Sequence, residues 1–166
     1  MRKINLLQKA CYDFEQAELA LEHYSGNKFE LDIVAYHVQQ TIEKLMTWEL
    51  ECAGVRFSFT YIVPVLYHEM LDNNLNPPDW ILNHYSILKQ FATKTRYGED
   101  LVATLSLLKI IINNTREYLN QQIHIADSQK LQPSSVFSKK LIKEIKSMND
   151  LIRQLKEDFA AFNGGS

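Results

Sequence analysis

Glycine and proline are scarce, five and four in 166 residues. Their scarcity argues against a turn-rich β-fold and favours long uninterrupted helices. Cysteine is scarcer still: Cys11 and Cys52 are the only two. Neither belongs to a CxxC pair, which points away from structural zinc and from a dithiol redox centre; a disulfide would need their two helices to meet. No apolar run approaches the length of a membrane span, and the start MRKINLLQKACYDF lacks the apolar core of a signal peptide, so a soluble, cytoplasmic protein is expected. An excess of one charge is also missing. Lys and Arg number 18 against 20 Asp and Glu, a formal net charge of −2, which argues against a whole-protein grip on nucleic acid and leaves only local basic faces. There is no P-loop, no Gly-rich dinucleotide turn and no G-x-S-x-G elbow.

Metal and cofactor chemistry finds little to work with. His23, His37, His68, His84 and His124 lie on different predicted segments, and none has a His or Cys four residues away to share a helical face. A di-metal bundle needs Glu-x-x-His motifs on two helices, and the chain has none. No metal and no cofactor are expected. Glu49 with Glu51, and Glu157 with Asp158, read as solvated helix faces.

What the chain does contain is helical periodicity, with a hydrophobic content of 46% that suits one globular domain. A first helix is predicted over about Lys3 to Tyr24, burying Leu6 or Leu7, Ala10, Phe14, Ala17 and Leu21 and ending at Ser25-Gly26-Asn27. The second begins near Phe29 and carries Val34, Val38, Ile42, Leu45 or Met46, and Leu50 on one face, with Gly54 placed for a left-handed cap. Phe57 and Phe59 alternate in the connection that follows. A third helix is expected over Tyr61–Asp72 with Pro64 in its first turn, and a fourth over Trp80 to about Thr93 with Asp79 as cap. Thr95 to Asp100 reads as a break. The next helix steps through Leu101, Leu105, Leu108, Ile112, Thr115 and Leu119, widened by Leu107, Ile110, Ile111 and Tyr118, which places it mid-bundle or at a subunit interface. The expected organisation is an all-α, up-and-down bundle of four or five helices over residues 1–126, a polar linker over 127–135, and an additional C-terminal amphipathic helix over 136–163. That last helix has a narrow seam, Phe137, Leu141, Ile145, Met148, Ile152, Leu155, Phe159 and Phe162, suited to one partner. Gly164-Gly165-Ser166 reads as a flexible tail.

Two polar features stand out. Gln39, Gln40, Glu43 and Lys44 form a ridge on the second helix, which is either a solvated face of helix neighbours or an interface ridge hydrogen-bonded across to a partner. Arg96 and Tyr97, placed between helices, either hold a phosphate or stack a base, or cap the core with the Tyr ring. Arg56 is a further candidate for such a contact, and the C-terminal lysines share their helix with acids and read as a solvated face.

The run Gln39-Gln40-Thr41-Ile42-Glu43-Lys44-Leu45 followed by Gly54 resembles the QQAAEKALKALL…G signature of HEPN domains. The likeness extends over about Lys3 to Gln122 and includes Thr95-Arg96-Tyr97, which looks like the family's ARYPD turn. Tyr61 stands where a His is common, Gly98 replaces the Pro of that turn, and Thr47 replaces a second Lys. The resemblance implies a helical bundle that dimerises. It also implies one of two activities. Some members are metal-independent ribonucleases with an Arg, four to six residues, then a His, paired across the dimer; others lack the motif and bind nucleotides, RNA or a nucleotidyltransferase. Here Arg116 precedes His124 by eight positions, so seven residues intervene. On a continuous helix the two differ in direction by about 80°. They are nonetheless the one Arg–His pair able to offer a base for a 2′-OH and a cation for phosphate. The reading is a non-catalytic, dimeric HEPN-type protein that binds nucleotide, RNA or a nucleotidyltransferase partner in a prokaryotic toxin–antitoxin or defence-type system. The alternatives are an atypical ribonuclease using Arg116 and His124, and a structural adaptor recruiting a partner through the C-terminal helix.

Overall fold

The computed structural model describes residues 2–56, 62–97, 104–128 and 136–164. Regular structure among them is entirely helical: α1 (Arg2–Glu22), α2 (Lys28–Cys52), α3 (Val63–Asp72), α4 (Trp80–Asn83), α5 (Tyr85–Tyr97), α6 (Leu105–Ser128) and α7 (Val136–Gly164). The all-α bundle with an additional C-terminal helix is the observed architecture.

Local chemistry accounts for the helix ends. The five residues joining α1 to α2 force the two helices to run antiparallel as neighbours. Gly26 turns there at φ +105°, Asn27 accepts from the Phe29 N–H through its side-chain oxygen, and the Glu30 carboxylate reaches back to the Ser25 N–H at 2.7 Å. At the other end of α2, Gly54 adopts φ +73°, while its N–H donates to the Glu51 carbonyl and the Val55 N–H to the Leu50 carbonyl. This is a Schellman cap, the conformation that glycine adopts without a Cβ penalty. Pro64 sits in the first turn of α3, where its missing N–H has no partner to lose.

Helix α2 is the centre of the bundle. It packs against α1, α3, α5 and α6, and Val34, Ala35, Val38, Ile42, Leu45, Met46 and Leu50 along it are fully buried. Ala10 and Ala17 of α1 are also fully buried; small side chains there let the two helix axes approach closely. Leu66 and Met70 from α3, Ile81 from α4, Leu88 and Phe91 from α5, and Leu108, Ile111 and Ile112 from α6 complete one continuous core. Helix α7 lies beside this core, touching α1 and reaching Asp127 at the end of α6 through Lys146 at 3.7 Å.

Several expectations need correction. Of the two placements expected for the long helix, mid-bundle is not the one observed: α2 holds the centre, while Ile110 of α6 is exposed and Leu107 half-buried. The fourth helix is two, because His84 leaves helical geometry at φ −113°, ψ 14°. Asp79 precedes it as expected but makes no capping hydrogen bond. The break at Thr95 is absent: α5 continues through Arg96 and Tyr97, because no residue before Gly98 opposes a helix. Asp127 and Ser128 belong to α6. Cys11 and Cys52 form no disulfide; burial pushes the Cys11 thiol up to about 11, which leaves it protonated and inert. The Phe57–Phe59 alternation, Tyr61, Leu101, the linker over 129–135 and the Gly165-Ser166 tail lie outside the described residues.

Leu45→Ala empties a fully buried site on α2 and should lower stability by about 2–5 kcal/mol. Phe162→Ala, where the ring is 83% exposed, should change it by about 0.5 kcal/mol or less. Urea unfolding followed by circular dichroism measures both. Equal midpoints for the two variants would contradict the central place of α2.

Candidate functional site

The ridge on α2 faces inward. Gln39 is fully buried and Glu43 is 4% exposed; Gln40 and Lys44 are half-buried. Their polar atoms form a directed chain that starts on α1. The Asp13 carboxylate accepts from Lys44 Nζ at 2.5 Å through one oxygen and lies 3.0 Å from His37 Nδ1 through the other. Lys44 also donates to Gln40 Oε1 at 3.0 Å, the Gln40 amide donates to Gln39 Oε1 at 2.9 Å, and the Gln39 amide donates to Glu43 Oε2 at 3.0 Å. Asp13 is only 8% exposed. A carboxyl group so far from water needs hydrogen-bonding partners, which Lys44 and His37 supply, and the buried amides likewise find the partners that desolvation demands. Lys44 therefore ties the ridge to α1 within the chain, while Gln39, Gln40 and Glu43 bond as neighbours along α2, buried or half-buried and not fully solvated.

Arg116 and His124 are placed apart. Along α6 they are separated by about 12 Å of helix rise. Arg116 donates from Nε and Nη2 to Glu18 Oε1 at 3.1 and 2.7 Å, donates from Nη1 to Asn113 Oδ1 at 2.7 Å, and lies 5.6 Å from the centre of the Phe14 ring. His124 is exposed, within 3.5 Å of the Ser128 hydroxyl, and lines a groove of ≈ 460 Å³ whose far wall is Ile145, Lys146, Asn149 and Asp150 of α7. Arg96 and Tyr97 close the last turn of α5. Among the described residues, no three His, Cys, Asp or Glu side chains converge to hold a metal.

One cluster escaped the sequence reading. Glu49, expected on a solvated face, is half-buried and accepts from the Tyr118 hydroxyl and from the Gln122 amide at 2.9 Å. The signal was available: Glu49 follows Ile42, Leu45 and Met46 at the seven-, four- and three-residue spacings that share one helical face. Burial raises the Glu49 carboxyl above its ordinary value, while the two hydrogen bonds oppose the rise. Burial and the neighbouring carboxylate push the Tyr118 phenol far above its own, so it stays a donor at neutral pH.

Comparison with known proteins places these features in a family. The family model described as HEPN domain matches residues 5–127. No curated protein and no solved structure matches the chain.

The raised Glu49 carboxyl has a measurable consequence. A carboxyl whose folded-state pKa exceeds its unfolded value favours folding while protonated, and that contribution is lost as pH rises through the folded value. Glu49→Gln has no such group. The stability of the parent protein relative to Glu49→Gln should therefore fall as pH rises above the ordinary carboxylate range. Urea unfolding through that rise measures it; a difference independent of pH would contradict the buried, raised carboxyl.

Proposed function

This chain belongs to the HEPN domain family, whose members work on or with nucleotides and RNA, and from that premise we propose that it is a non-catalytic, dimeric nucleotide- or RNA-binding protein. In this reading it acts with a nucleotidyltransferase-type partner in a prokaryotic toxin–antitoxin or defence-type system. The observation that carries the non-catalytic part is the engagement of Arg116. Its guanidinium is bonded to Glu18 and Asn113 and packed on Phe14. A cation neutralised by a carboxylate is a poor stabiliser of a phosphorane-like transition state, and His124 sits on another part of the helix surface. The exposed apolar residues of α2 support dimerisation. Phe29, Ile33 and Tyr36 are 69%, 53% and 37% exposed and recur at four- and three-residue steps, an apolar strip that a second copy would cover.

A second reading, the adaptor, is favoured by one observation. Met148, Ile152, Leu155, Phe159 and Phe162 on α7 are all between 48% and 83% exposed. A seam of that kind suits a helix from another protein.

Fluorescence anisotropy with labelled single-stranded RNA in EDTA, followed by gel analysis of the same RNA, tests the proposal. RNA bound and left intact, equally by the parent and by His124→Ala, is the expected result. Cleavage in EDTA that disappears in His124→Ala would establish the ribonuclease instead. RNA neither bound nor cut, with partner binding lost on removal of residues 135–166, would establish the adaptor.

A further inference from the structure

On the flank of α6 opposite Arg116, a cleft of ≈ 230 Å³ opens between the C-terminal half of α2, the connection from α3 to α4, and Trp80 at the start of α4. Residues 114, 117, 118 and 121 line its α6 side; with successive residues advancing about 100°, they centre roughly 150° around the helix from Arg116. The floor is built. Glu49 is fixed there by the Tyr118 hydroxyl and the Gln122 amide. The walls carry uncommitted polar groups: Asn76, Asn114, Glu117 and Gln121 make no side-chain hydrogen bond among the described residues. Trp80 adds a flat aromatic surface at one side.

The chemistry of that lining narrows the ligand. No Lys, Arg or His borders the cleft, and two carboxylates do, so an anion such as phosphate is repelled. The volume falls below the ~300–1,000 Å³ of pockets that enclose a whole drug-sized ligand. A single ring system is the size that fits, and a planar one can stack on the indole. Ionised carboxylates only accept hydrogen bonds, whereas side-chain amides both donate and accept. The ligand edge facing Glu117 must therefore present donors, and the edge facing the amides is free to present acceptors. Among the RNA bases, guanine alone places two adjacent donors, N1–H and N2–H, on its Watson–Crick edge, with the O6 and N7 acceptors alongside. Adenine and cytosine set a ring-nitrogen acceptor beside their single amino group, which would meet a carboxylate lone pair. Uracil offers one N–H flanked by two carbonyls.

We propose that this cleft is a guanine-binding site, in which Glu117 accepts from N1–H and N2–H, Trp80 stacks on the ring, and Asn76, Asn114 and Gln121 contact its remaining polar edge. The assignment rests on the nucleotide- and RNA-binding reading above and gives it a base preference. The sugar and phosphate lie outside the cleft, so a free nucleotide and a guanine in single-stranded RNA present the same recognised chemistry.

Isothermal titration of the full chain with guanosine, adenosine, cytidine and uridine tests it, because nucleosides carry no phosphate to bind elsewhere. Guanosine should bind at least ten-fold more tightly than the other three and quench tryptophan fluorescence. Glu117 is exposed, so Glu117→Gln should fold as the parent does and lose at least ten-fold in guanosine affinity. A uridine heptamer with and without one central guanosine, compared with guanosine monophosphate, shows whether RNA or a free nucleotide is the better source. Equal binding of all four nucleosides, no guanosine binding, or a guanosine affinity unchanged in Glu117→Gln would overturn the assignment. Displacement of guanosine by excess N-acetylarginine amide at lower concentration than by guanosine itself would also overturn it, in favour of a peptide guanidinium. If both heptamers bind alike and Glu117→Gln has no effect, the cleft assignment falls and RNA binding stands. If guanosine binds but no RNA or nucleotide does, the cleft stands and the wider function falls.

Discussion

A single carboxylate on α1 ties together two turns of α2. Asp13 receives Lys44 through one oxygen and faces His37 through the other, residues seven apart and therefore on one face of their helix. The contact fixes both the register and the rotation of α1 against the bundle's central helix. Rotating α2 by one residue would carry Lys44 and His37 away from Asp13 and leave that buried carboxylate without its partners across the two helices, at a cost of about 1–3 kcal/mol or more. With the rotation set, Val38, Ile42, Leu45 and Met46 meet the other helices, and the apolar strip of Phe29, Ile33 and Tyr36 is left on the outside. Buried polar networks of this type specify one arrangement more than they add stability, since desolvation offsets much of the attraction.

The same rotation decides what α6 can offer. Thr115, Tyr118, Leu119 and Gln122 are buried, which leaves a flank on either side of them. One carries Arg116, committed to Glu18 on α1. The other carries Asn114, Glu117 and Gln121, which make no side-chain hydrogen bond among the described residues and line a cleft with Glu49 and Trp80. Helix α7 carries a separate apolar seam, Met148, Ile152, Leu155, Phe159 and Phe162, that is exposed.

Much of this was legible in the sequence where the cause is local. Gly54 announces its own cap because few other residues take φ +73° without strain. The α1 stripe of Leu7, Ala10, Phe14 and Ala17 is buried as its spacing predicts. Features set by distant residues were hidden. The ridge was visible as a ridge, but its inward direction depends on Asp13, 31 positions from Lys44, and nothing in the 39–44 run points to that partner. Glu49 was misread for the same reason, as its hydrogen-bonding partners lie 69 and 73 residues on. Arg96 and Tyr97 fall where the apolar pattern breaks in the sequence, yet both lie on the last turn of α5, since a lapse in periodicity without Gly or Pro does not stop a helix. The division at His84 has no breaker residue to betray it.

The coupling between Asp13 and Lys44 is the quantity on which this account stands. A double-mutant cycle over Asp13→Ala and Lys44→Ala, read by urea unfolding, measures it directly. Partners in one network with side chains 11% and 18% exposed should show an interaction energy of at least about 1 kcal/mol. Additivity to within about 0.3–0.5 kcal/mol would mean that the two residues do not sense each other, and that something other than this contact sets the rotation of α2.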